Sequence, residues 1–139
     1  MATSIKPELS NKNKYWIDKH RHYELKHFCL QYPLWKKEYE LLGVPNLSSS
    51  VAERIPSNNA HSDPTAIYAM KKASYAEKIE LVEETVAETD KYLYEYLLKA
   101  VTEGLSYTYL KTRFKLPCGR DYYYERYRKF FWLLSKVRN

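Results

Sequence analysis

The sequence predicts an all-α protein, and three observations carry that expectation. Only three glycines occur in 139 residues, so long stretches run without a breaker. Apolar residues recur at spacings of three and four through most of the chain, the period of a helix with one buried face. Helix start and stop residues bracket those stretches. A chain of this length with 45% hydrophobic residues can bury a core without disulfides or metals.

Residues 1–14 are polar and lysine-rich and read as a frayed end. From about Asp18 the pattern is helical, with Tyr23, Phe28 and Leu30 among charges and Leu25 and Cys29 one turn apart. Pro33 should end or kink this helix. A second helix restarts at once, with Pro33 in its first turn, an apolar stripe of Leu34, Trp35, Tyr39 and Leu42, and Gly43 as the stop. Together residues 1–43 read as a helical hairpin. Residues 44–64 hold three prolines among serines and asparagines, so a flexible linker is expected over 44–61.

The remainder, 62–139, begins with Asp63 as an N-cap and Pro64 at the first helical position. Ala66, Ala69/Met70, Ala73, Ala76, Ile79, Val82, Thr85 and Val86 mark the inner face of a long helix, and a run of glutamates marks its outer face. Thr89 or Asp90 is placed to cap the next helix, with Leu93, Tyr94, Leu97, Leu98 and Val101 inward and Gly104 as its stop. Ser106 should cap a short helix through about Arg113, with Leu110 inward. A tight FKLP connection follows, and then a last helix from about 119 to 137. Its expected inward stripe is Tyr123, Tyr127, Phe130, Leu134 and Val137, which leaves Trp132 on the outer side.

Charge singles out this last quarter. Residues 105–139 carry nine lysines and arginines against Asp121 and Glu125, a net +7; the whole chain is +6, so everything before sums to −1. A field focused in this way attracts polyanions. Three helices in series, the middle one short, joined by brief turns, form the layout of a helix-turn-helix whose last helix enters the major groove. On that layout Arg120, Asp121, Tyr122, Glu125 and Arg128 face base edges. Arginine forks onto guanine, and a carboxylate accepts from cytosine. Lys111, Arg113, Lys115, Arg126 and Lys129 are the expected phosphate contacts.

The stretches DPTAIYAMKKASYAEKIELVEETV, LLKAVTEGLSYTYL and LPCGRDYYYERYRKFFWLL resemble the phage-encoded RinA/ArpU-type transcriptional regulators of Gram-positive bacteria over roughly residues 62–138. The resemblance is strongest at Arg120, Tyr123, Tyr124 and RKFFWLL. It implies a helix-turn-helix similar to the promoter-reading part of sigma factors, acting on late phage genes in the bacterial cytoplasm. The 44–61 linker and the N-terminal hairpin depart from that pattern.

Enzyme chemistry is not expected. The sequence has no glycine-rich phosphate loop, no G-x-S-x-G and no H-E-x-x-H. His20, His22, His27 and His61 do not complete zinc spacing with Cys29 and Cys118, which read as free thiols of a reducing compartment. Glu80, Glu83, Glu84 and Glu88 read as a solvated face rather than a metal site, so no cofactor or metal is expected. The N-terminus lacks the apolar core of a signal peptide, and no stretch approaches the roughly 18 apolar residues of a membrane span.

The expected partner is double-stranded DNA, bound by a transcriptional regulator. A second subunit would supply a second half-site, with the acidic long helix or the hairpin as its contact surface. Two other readings fit the same residues. One is a helical interaction module for an acidic groove on host RNA polymerase or another factor. The other is a small-terminase-like packaging protein, which would form rings.

Overall fold

The computed structural model describes residues 13–42 and 64–139. Among the described residues the protein is all-helical, with no strand. Six helices follow in order: α1 (Lys19–Leu30), α2 (Tyr32–Leu42), α3 (Pro64–Thr89), α4 (Tyr94–Glu103), α5 (Tyr107–Arg113) and α6 (Arg120–Val137). The described chain divides into two compact units, 13–31 with 82–139, and 32–42 with 64–81. The expected linker over 44–61, the Asp63 cap and the Gly43 stop lie outside the described residues.

Each helix end of the larger unit has a local cause. Asp18 caps α1 by accepting from the His20 amide at 2.9 Å. α1 stops at Leu30, and Pro33 falls in the first turn of α2, where its missing N–H costs nothing. α3 ends at Thr89. The following Asp90 takes the Leu93 amide on its Oδ1 at 3.0 Å, in the manner of an N-cap three residues upstream, and the chain turns into α4. Gly104 closes α4 at φ 70°, a left-handed cap that glycine adopts without strain. Ser106 then caps α5 through a 3.1 Å bond from the Tyr109 amide.

The core of the larger unit is built from Leu25 and Cys29 of α1, Val82 and Val86 at the end of α3, Leu93, Leu97 and Val101 around α4, Leu110 of α5, Leu116, and Tyr123, Phe130, Phe131 and Leu134 of α6, all at most 2% exposed. α1 lies against both α4 and α6, and α4 against α5. Arg21 of α1 closes the far end of α6 by donating to the carbonyls of Ser135 and Arg138. The Arg138 guanidinium lies 4.1 Å from the Phe28 ring centroid and reaches Glu24 at 3.4 Å. In the smaller unit Trp35 and Ile79 are buried, Lys78 sits over Trp35, and Lys72 sits over Tyr39.

Three expected stripes are corrected. On α6 Val137 is 54% exposed, and Phe131 takes its place in the core at 1%. The buried face is rotated toward Phe131 because α1 presses there, with His22 edge-on to the Phe131 ring at 4.8 Å. Trp132 is half-buried rather than outward, against Tyr15 ahead of α1 at 5.4 Å and beneath Lys136. In the smaller unit Leu34 is 54% and Met70 71% exposed, and Ala66, Ala69 and Ala73 are also exposed. Ala76 is partly covered as expected, and so are Ile67, Tyr68 and Tyr75 of α3.

Candidate nucleic-acid interface

The turn between α5 and α6 is built around a lysine in a conformation that favours glycine. The Phe114 amide returns to the Leu110 carbonyl at 3.0 Å, Lys115 takes φ 57°, and the Leu116 amide also reaches the Leu110 carbonyl at 3.2 Å. Leu116 can then bury its side chain, and Lys115 is left exposed at the corner. Lys111 satisfies the inner wall of the turn. Its Nζ donates to the carbonyls of Leu116 and Cys118, both at 3.0 Å. Gly119 is the N-cap residue of α6, without a side-chain cap, and Asp121 lies in the first turn, where a negative charge suits the helix dipole.

Two contacts fix the start of α6. On the α5 side the rings of Tyr123 and Tyr124 lie 5.4 and 5.9 Å from that of Tyr107. Arg120 reaches back over Tyr107, with its guanidinium carbon 4.7 Å from the ring centroid. On the other side Asp90 acts as a post. Its Oδ2 accepts from the Tyr122 hydroxyl at 2.6 Å and lies 3.9 Å from Arg126 Nε. Arg126 also donates to Glu125 at 2.6 and 3.0 Å and to the Thr89 carbonyl at 3.4 Å. The bond to Asp90 raises the Tyr122 hydroxyl pKa, because the carboxylate accepts from the neutral phenol. Burial raises those of Tyr123 and Tyr127 further. The Cys29 thiol, buried beside Tyr127, is pushed up to about 12.

The ten residues expected to touch DNA therefore divide into four groups. Lys115, Arg120 and Asp121 are exposed together at the turn and at the start of α6. Lys111, Tyr122, Glu125 and Arg126 are engaged within the protein by the bonds just given. Arg113 is exposed but turned toward Tyr109, its guanidinium carbon 5.9 Å from that ring. Arg128 and Lys129 lie half-buried further along α6. The Arg128 Nε is shut off from solvent without an acceptor.

Asp90 and Tyr107 escaped the sequence reading as interface residues. Their one signal is position: Asp90 breaks an otherwise continuous helical pattern, and Tyr107 directly follows a capping serine. Among the described residues no helix is long and apolar enough to cross a membrane, and no three His, Cys, Asp or Glu side chains gather as a metal site. No protein-family model matches the chain, and neither a curated protein nor a solved structure does.

Proposed function

We propose that α5, its turn and α6 act as a helix-turn-helix that binds double-stranded DNA, and that the protein regulates transcription by reading a specific sequence. The resemblance stated above adds a phage or prophage setting and late genes as the target. The observation that carries the reading is the exposed group Lys115, Arg120 and Asp121. It sits at the turn and first residues of an 18-residue helix held from both sides by Tyr107 and Asp90. Recognition helices reach bases with their N-terminal residues. Arg120 leaves its stacking position over Tyr107 to fork onto guanine, and Asp121 accepts from cytosine.

Lys115 holds a phosphate, as do Lys129 and Arg128. Arg128 has its own reason to do so. Its orphaned, buried Nε costs about 1–3 kcal/mol, so the side chain gains by swinging outward to a phosphate oxygen. Lys111 and Arg126 are structural and contribute little, because contacting DNA would strip the turn carbonyls and Asp90 of their donors.

Selection of binding sites from a random duplex library with the purified protein tests this reading. An enriched motif is expected, and Arg120→Ala should relax one base position by about 1–3 kcal/mol of discrimination. Equal weakening on every sequence would make Arg120 a phosphate contact. No duplex binding at low salt would end the DNA reading.

A further inference from the structure

α5 presents two aromatic faces, and the DNA reading uses one. Tyr107 and Tyr109 are two residues apart, hence roughly 200° apart around the helix. Tyr107 is buried against α6 beneath Arg120. Tyr109 faces the other way and meets Phe114, ring centroids 6.0 Å apart. These two rings stay 42% and 39% exposed. Each carries a cation over its face: Lys99 of α4 lies 5.1 Å from the Phe114 centroid, and Arg113 lies 5.9 Å from that of Tyr109. Arg113 has no ion-pair partner among the described residues, and Lys99 has only a solvent-exposed, 4.0 Å pairing with Glu103.

We propose that Tyr109, Phe114, Lys99 and Arg113 form a second contact surface whose occupant is an acidic polypeptide segment carrying an apolar anchor. The chemistry selects that occupant. Two adjoining, partly exposed rings offer an apolar shelf that an anchoring leucine or phenylalanine can cover. The cations stand over the two rings, and carboxylates flanking the anchor would complement them and set the on-rate. A second copy docking through the same surface would set Lys99 and Arg113 against their own twins. A duplex lying along Arg120 would leave this face pointing away from it. The inference does not depend on the DNA reading as proposed above, since Arg113, expected from the sequence to hold a phosphate, is turned onto Tyr109, and Lys99, Tyr109 and Phe114 have no part in that reading.

The test titrates three probes into the full-length protein, followed by NMR. They are a helical glutamate-rich peptide with a leucine face, the same peptide with lysine for glutamate, and a random-sequence duplex. The acidic peptide is expected to shift Lys99, Tyr109, Arg113 and Phe114, and the lysine peptide is expected to shift none of them. Phe114→Ala should weaken the acidic peptide tenfold or more. Arg113→Gln should weaken it several-fold and flatten its salt dependence. Phe114 is exposed, so the unchanged thermal midpoint of its variant serves as the folding control, and Arg113→Gln keeps the test open should that midpoint fall.

Four results would each overturn the proposal. They are shifts confined to Arg120 and Tyr107, equal binding by the lysine peptide, stronger shifts of Tyr109 and Phe114 by the duplex, and concentration-dependent broadening of these residues without any probe. The third would assign the surface to nucleic acid, and the fourth to a second copy.

Discussion

Asp90→Ala removes the post on which the start of α6 rests, and its cost can be worked from the contacts. The cap on the Leu93 amide contributes about 1 kcal/mol, the usual value for an aspartate N-cap. The ion pair with Arg126 joins side chains 7% and 20% exposed across 3.9 Å. Coulomb's law at an effective dielectric near 20 gives about 4 kcal/mol, most of it offset by desolvation, which leaves about 1 kcal/mol. The Tyr122 bond adds nothing to this sum, because Tyr122 is exposed and water replaces the lost acceptor. The total is about 2 kcal/mol, or roughly 8 °C in Tm for a chain of this size.

Urea unfolding followed by far-UV circular dichroism measures the loss, and Asp90→Asn separates its parts. Asparagine caps as well as aspartate, so Asn should cost about half as much as Ala. A loss below about 0.5 kcal/mol for Ala, or equal losses for the two variants, would refute the reasoning. DNA binding should weaken in both variants at temperatures where both remain folded, since Arg126 and Tyr122 then lose their anchor.

Three further outcomes follow from single residues. Lys115→Gly should raise stability by about 0.5–1 kcal/mol, because glycine takes the left-handed corner freely, while it lowers DNA affinity; thermal melts and binding isotherms of the same preparation read both signs. His22 has its pKa lowered to about 4, chiefly by burial and then by Lys26. The unfolded chain therefore binds a proton near 6.5 that the fold refuses, and stability is present above pH 6.5 and lost as pH falls toward 4. Partial solvent access limits the loss to the order of 1–2 kcal/mol, and His22→Gln should flatten urea midpoints across that window. Cys118 is only partly buried and Cys29 fully so; burial raises the Cys118 thiol pKa and slows it, so one thiol per folded chain should react with a maleimide, more slowly than a free thiol, and the second only on unfolding, as mass spectrometry would count.

The helix starts and stops were legible because each rests on a local signal. Asp18, Ser106 and Gly104 act through their own backbone neighbours, so the residues name the ends. The short α5 and the start of α6 emerged from the same signals. What escaped depends on contacts distant in sequence. The phase of α6 turns on where α1 presses, and nothing in RYRKFFWLLSKV says that Phe131 meets His22 while Val137 stays bare. The same holds for the cations. Lys111, Arg113, Arg120 and Arg126 are alike in sequence. The structure sets the first on turn carbonyls, the second over Tyr109, the third over Tyr107 and the fourth on Asp90. Exposure of Leu34 and Met70 likewise defeats a periodicity that marks them as inward.

The salt dependence of duplex binding tests the central claim most directly, because its slope counts the cations that meet phosphate. Lys115, Arg128 and Lys129 do so in this reading, while Arg120 meets a base, and about 0.9 ions released per contact gives a slope near −2.7 in log K against log salt for each chain bound, roughly 40-fold between 50 and 200 mM. Alanine at Lys111 or Arg126 should leave that slope unchanged. A slope near −5.4, which needs Lys111, Arg113 and Arg126 as well, or no measurable duplex binding at 50 mM salt, would contradict the account.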